Sequence, residues 1–199
     1  MYHFLQIFFT WLFSHVFHAE IIGTENMPES GGVILAANHM SNWDPPFLAT
    51  FLSRPVAYMA KKELFQIPIF SAAIRSCHSF PVNRGAADRS ALKAAVKELN
   101  SGNCVGMFPE GTRSKDGKVH KAESGIALIA AMTKVPVVPA AIIGTNEIFS
   151  SKNFFPHLKI IYGKPLFFEG TSKNKDELQK FSQKIMEEIT KMKNNHSNK

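Results

Sequence analysis

Short runs of apolar residues, many of them β-branched, recur near 33–37, 56–60, 79–82, 104–108, 137–143 and 158–163, with turn-length or helix-length chain between them. The alternation of these strand-length runs with helix-length segments points to an α/β fold: a central, mostly parallel sheet flanked by helices. Helical intervals are expected to begin at Pro45, at Lys61, at Asp88, near Ala122 and near Lys175. The clearest runs from Asp88 to Asn100. Asp88 can cap it, Leu92, Ala95, Val96 and Leu99 form an apolar face, and Gly102 lies just past its end. In the last interval Leu178, Phe181, Ile185, Ile189 and Met192 share one face, with charges opposite. With 199 residues, 45% of them apolar, the chain suffices for a single domain. That domain is expected over 19–192, preceded by a membrane-associated helix over 1–18 and followed by a frayed polar tail over 193–199.

The N-terminal segment is dense in Phe, Leu, Ile and Trp, while His3, Gln6, Thr10, Ser14 and His18 recur at helical spacing as one polar stripe. A spanning helix needs about 20 apolar residues, and this run is shorter and interrupted. A cleaved signal peptide wants a basic start, which is missing. The segment is therefore expected to lie in a membrane interface, the alternative being a first helix buried in the core. The net charge of +7 points to an anionic partner. No Lys or Arg precedes Arg54, and no basic cluster interleaves with aromatics, which sets nucleic acid behind a phospholipid surface or a phosphorylated substrate. Neither G-x-G-x-x-G nor a Walker sequence occurs, so nucleotide-dependent chemistry is not expected. Cys77 and Cys104 have no metal-ligand spacing and form no disulfide framework. Both read as small buried residues of a chain facing a reducing cytoplasm, with no metal and no cofactor implied.

In an open parallel sheet, ligands bind beyond the carboxyl ends of the strands, so the residues that follow each run belong together. After Val33 to Ala37 comes Asn38-His39-Met40-Ser41-Asn42-Trp43-Asp44. After Ser79 to Val82 comes Asn83-Arg84-Gly85, and after Cys104 to Phe108 comes Pro109-Glu110-Gly111-Thr112-Arg113. An imidazole on a loop leaving a strand can act as a general base, and a carboxylate at its second nitrogen fixes the tautomer and steadies the charged form. No obvious nucleophile of the protein's own accompanies the pair, so His39 and Asp44 read as a dyad that activates a hydroxyl of the substrate. Taken alone, the spacing also fits a hydrogen-bonded loop histidine beside a helix-capping aspartate. Arg84 and Arg113 carry the paired donors that a phosphate monoester takes. Gly111 lets backbone approach a ligand, and Glu110 can accept from a hydroxyl or orient an arginine. Oxyanion donors are expected among backbone N–H groups near the start of the helix after Pro45.

Four strings in this order, Asn38-His39-x4-Asp44, Phe80-Pro81-Val82-Asn83-Arg84-Gly85, Phe108-Pro109-Glu110-Gly111-Thr112-Arg113 and Val135-Pro136-Val137-Val138-Pro139-Ala140, resemble the blocks of the 1-acylglycerol-3-phosphate acyltransferase family. The resemblance covers residues 20–165. It implies the glycerolipid acyltransferase fold and transfer of a fatty acyl group from acyl-CoA or acyl carrier protein to the sn-2 hydroxyl of lysophosphatidic acid, giving phosphatidic acid. By the same resemblance His39 is the base and Asp44 its orienting partner. Arg84, Glu110, Gly111, Thr112 and Arg113 fall on the acceptor side, and Lys121 matches a basic position beside the phosphate. Members commonly carry a longer N-terminal hydrophobic segment, so attachment here is expected through one interfacial helix on the cytoplasmic face of the cell membrane, helped by Lys61, Lys62 and Arg75. Two alternatives stay open at this point. One is acylation of glycerol 3-phosphate or another lysophospholipid, and the other is a non-catalytic lipid-binding protein of the same fold.

Overall fold

The structure is a computed structural model that describes residues 1–82, 89–114, 120, 122–151 and 153–197. In chain order the elements are α1 (Tyr2–Trp11), β1 (Glu20–Ile22), β2 (Val33–Ala37), α2 (Asp44–Thr50), β3 (Val56–Lys61), α3 (Pro68–Ser76) and β4 (Phe80–Val82). They continue with α4 (Arg89–Asn100), β5 (Cys104–Met107), α5 (Gly125–Thr133), β6 (Val137–Ile143), β7 (Lys159–Tyr162) and α6 (Lys175–Ser197). Seven strands pair in the order β1-β7-β6-β2-β5-β3-β4, and every neighbouring pair is parallel except β6 with β7. The consecutive apolar runs take the middle: every residue of β2 is buried, and so are Val137 to Ile142 of β6. Alternate side chains of β2 feed two cores. Ile34 and Ala36 pack with Ala95 and Leu99 of α4, Ala127 and Ala130 of α5, and Ile185 and Ile189 of α6. Val33, Leu35 and Ala37 pack on the other face with Phe47 and Leu48 of α2 and with Phe13 and Phe17. The expected mostly parallel sheet with helices on both faces is therefore present.

Several boundaries differ from the sequence reading for identifiable reasons. The helix expected from Lys61 instead begins at Pro68, after β3 has run through Lys61 and a 3-10 turn has spanned Lys62–Gln66. Proline is tolerated in the first turn of a helix and not in its interior, so Pro68 divides the interval. β1 escapes sequence reading because three residues are too few to show a period; it is an edge strand on β7. Beyond α4, Gly102 lies at φ +84 and its N–H donates to the Leu99 carbonyl at 3.0 Å, a left-handed terminus that glycine accepts without strain. The cap proposed at Asp88 lies outside the described residues. The segment read as a frayed tail is helical through Ser197, where the Lys159 ammonium donates to the His196 carbonyl at 3.3 Å.

The N-terminal segment is helical, with a π turn over Leu12–Val16 following α1. Its polarity is inverted relative to a helix of a water-soluble surface. Gln6, Thr10 and Ser14 are half-buried, and the Gln6 amide donates to the carbonyls of Thr50 and Leu52 at 3.2 and 2.9 Å, while Phe4 and Ile7 are 72% and 70% exposed. The middle of the polar stripe thus faces the protein near the C-terminal end of α2, whereas His3 and His18 at its ends are exposed, and Phe4, Ile7, Phe8 and Trp11 face outward. Phe13 and Phe17, by contrast, are fully buried. Among the described residues no helix is long and apolar enough to cross a membrane.

Candidate active site

β2 ends at Ala37, and Asn38 continues its pairing with a side chain instead of backbone. The Asn38 amide donates to the Ile142 carbonyl at 2.9 Å and its oxygen accepts the Ile142 N–H at 2.8 Å. This frees the next residue to turn out of the sheet. His39 Nδ1 then lies 2.8 Å from Asp44 Oδ2, with the histidine side chain 13% exposed and the aspartate fully buried. Oδ2 also accepts the backbone N–H groups of Met40 and Ser41 at 2.6 and 2.7 Å, and Oδ1 accepts the Thr145 hydroxyl at 2.5 Å. An ionised carboxylate is an acceptor only, so Nδ1 carries the proton and Nε2 presents a lone pair. Among the described residues Nε2 makes no hydrogen bond. The pair read from spacing alone is therefore formed geometrically, and Asp44 is the first residue of α2 rather than its cap.

Packing fixes the ring as firmly as hydrogen bonding does. His39 stacks on Phe108 with centroids 4.0 Å apart and planes 18° from parallel, and Phe108 stacks in turn on Tyr58 at 6.1 Å. Tyr58 of β3 sits opposite Gly106 of β5, where a Cβ would fall 2.2 Å from the phenol ring. Only glycine leaves room for this column. The Tyr58 hydroxyl donates to the Pro45 carbonyl at 2.9 Å, and burial pushes its pKa well above the usual phenol value, so it stays a neutral donor. Burial likewise pushes the Cys104 thiol up to about 12 and raises that of Cys77. Neither sulfur is poised as a nucleophile at neutral pH.

The Glu110 to Arg113 turn meets this loop from β5. Glu110 is buried, and its Oε1 accepts the His39 backbone N–H at 3.0 Å while Oε2 accepts the His120 N–H at 3.2 Å. Its carboxylate, read from sequence as a substrate-side group, holds the backbone on which the imidazole is mounted. The Ser114 N–H donates to the His39 carbonyl at 2.8 Å, so both backbone polar groups of His39 are bound to this turn. Gly111 has φ +68, a conformation that a side chain would strain, and its N–H closes the turn onto the Phe108 carbonyl at 3.0 Å. Thr112 and Arg113 are exposed, and the Arg113 guanidinium donates to the Asn42 side chain at 3.0 Å, within the His39 to Asp44 loop. Arg84 and Lys121 lie outside the described residues. At the start of α2, where backbone donors were expected, Pro45 and Pro46 have no N–H, the Phe47 N–H donates to the Trp43 carbonyl, and those of Met40 and Ser41 donate to Asp44.

Sequence reading missed Thr145, Asn38 and Phe108. Thr145 follows Gly144 at the end of β6, the one strand terminus beside β2 that the search of strand ends left out, although the rule applied to it equally. Among the described residues no group of three or more His, Cys, Asp or Glu is arranged to hold a metal ion.

The family described as Acyltransferase matches residues 18–143, a span that contains both members of the dyad and the Glu110 to Arg113 turn. The chain is 37% identical over 150 residues to the 1-acyl-sn-glycerol-3-phosphate acyltransferase of Bacillus subtilis, covering 74% of this chain and 73% of that one. It is also 37% identical over 131 residues to the protein of that name from Streptococcus pneumoniae, of which it spans 48%. The crystal structure of the 1-acyl-sn-glycerophosphate acyltransferase from Thermotoga maritima superposes with a TM-score of 0.79 at 30% identity, over 99% of this chain and 78% of that one.

Proposed function

Because this chain belongs to the acyltransferase family, we propose that it transfers a fatty acyl group from an acyl thioester to the sn-2 hydroxyl of lysophosphatidic acid, forming phosphatidic acid. The observation that carries this reading is the buried Asp44 carboxylate held on His39 Nδ1 at 2.8 Å, which leaves Nε2 as the base. An alcohol attacks poorly until its proton is removed, whereas a thioester carbonyl is reactive enough to be attacked directly. The acceptor oxygen forms its bond to the thioester carbon as its proton passes to Nε2, and Asp44 stabilises the imidazolium. The tetrahedral intermediate collapses with cleavage of the C–S bond, and the imidazolium returns the proton to the departing thiolate. No covalent acyl-enzyme is required, in keeping with the elevated thiols of Cys77 and Cys104. Arg113, exposed beside the dyad loop, supplies one guanidinium for the acceptor's phosphate, with Arg84 and Lys121 as its sequence partners.

The outward Phe4, Ile7 and Trp11 of α1 lie in the interface of the cytoplasmic leaflet, and the net positive charge adds attraction to anionic headgroups. The deciding experiment pairs purified protein with lysophosphatidic acid or glycerol 3-phosphate, each with acyl-CoA and acyl carrier protein thioesters. Phosphatidic acid from the first acceptor is the expected product. Turnover of glycerol 3-phosphate alone, or of neither acceptor, overturns the assignment.

A further inference from the structure

Past Thr145 the chain does something that the dyad itself does not require. Phe149 adopts φ +57, a left-handed conformation rare for a bulky side chain and maintained only where the surroundings over-determine it. Here rings do so. Phe149 packs against Phe17 and Trp43, each at 6.0 Å between centroids, and against Phe154 at 4.8 Å. Its N–H donates to the Phe154 carbonyl at 3.2 Å, and the Ser150 hydroxyl closes the turn by hydrogen bonds to the Asn153 backbone at 3.1 Å. The described residues on either side of this turn hold aromatic rings toward solvent instead of burying them: Phe154 and Phe155 are each 57% exposed. Exposed apolar clusters of this kind mark contact sites. The cluster lies one residue removed from the dyad: Phe149 packs on Trp43, the residue before Asp44, and follows by four residues Thr145, whose hydroxyl donates to Asp44.

We propose that the Phe149/Phe154/Phe155 cluster is a second membrane contact, the threshold at which the hydrocarbon chain of the lipid acceptor passes from the bilayer to His39. The proposal rests on the acyltransferase reading and identifies the route of its substrate. Continuity selects a lipid surface as the occupant. α1 runs antiparallel to α2, with Gln6 at the C-terminal end of α2 and Phe13 packed on Phe47 and Trp43 at its N-terminal end. α1 therefore leads toward the dyad loop, and beneath the surface two buried rings, Phe13 and Phe17, run from its end to Phe149 and Phe155. A single-chain phosphate ester in a bilayer has its hydroxyl at headgroup level and its chain below. A ring cluster beside the base meets that geometry.

Two measurements test it. Phe154→Trp in a Trp11→Phe/Trp43→Phe background reports insertion directly with vesicles of phosphatidylcholine and phosphatidylglycerol that carry brominated acyl chains. A blue-shifted, quenched emission is expected. Water-like, unquenched emission from vesicle-bound protein overturns the proposal, and so does a dimer in light scattering that Phe154→Ser abolishes, because a second copy would then cover the rings. In parallel, Phe154→Ser/Phe155→Ser is expected to raise the KM for long-chain lysophosphatidic acid in vesicles by on the order of tenfold. A short-chain monomeric acceptor should change by less than about twofold. Equal effects on both acceptors contradict the proposal. Wild-type protein that acylates neither acceptor defeats the acyl-transfer reading instead, while quenching still decides insertion.

Discussion

Asp44 is the most heavily committed side chain of the site, since its two oxygens take four donors: His39 Nδ1, two backbone N–H groups and the Thr145 hydroxyl. Asp44→Asn would turn an amide N–H toward groups that are themselves donors. The expected result is a fall in kcat of about 10³-fold with the acceptor KM nearly unchanged, measured by steady-state kinetics. Thr145→Val keeps the shape but leaves Oδ1 unsatisfied in a buried place. It should cost about 1–3 kcal/mol in thermal or denaturant unfolding and lower kcat as well. Glu110→Gln replaces one of two accepted backbone bonds with an opposed N–H. It should lower kcat more than it changes the acceptor KM, whereas an effect confined to acceptor KM would return Glu110 to direct substrate contact. The dyad was legible because its members are five residues apart on one loop. Thr145 was not, because 101 residues separate it from Asp44 and only the pairing of β2 with β6 joins them. Glu110 was legible as a residue but not in direction, since a sequence does not say which way a carboxylate turns.

At the scale of elements, α1 and the π turn that follows it divide their apolar residues between two tasks. Phe13 lies fully buried against Phe47 with ring centroids 4.9 Å apart, so Phe13→Ala should cost about 3–5 kcal/mol in unfolding free energy. Phe4→Ser/Ile7→Ser removes only outward side chains. It should leave stability within about 0.5 kcal/mol and reduce binding to anionic vesicles, as measured by sedimentation. A helical period locates a stripe but not the side on which the protein lies. The polar stripe of α1 therefore gave no warning that Gln6 and Thr10 face inward. Strands were read more securely, because short apolar runs such as β2 and β6 alternate with helix-length chain. β1 is too short for any pattern, and α3 starts at Pro68 rather than at Lys61 as expected.

For the whole molecule, the parallel sheet brings together loops from β2, β5 and β6 that are remote in sequence, and α1 leads toward the same end. The chemistry assigned to that end uses neither cysteine of the protein. Alkylation at pH 8 should leave Cys104 unmodified by intact mass, since burial pushes its thiol up to about 12, and should leave turnover intact. The central claim is that His39 is the base for the acceptor hydroxyl, and kcat for phosphatidic acid formation by His39→Ala, read beside lysolipid binding by the same variant, tests it most directly. A loss on the order of 10² to 10⁴ with binding retained is the predicted result. Turnover within a few-fold of wild type would contradict it.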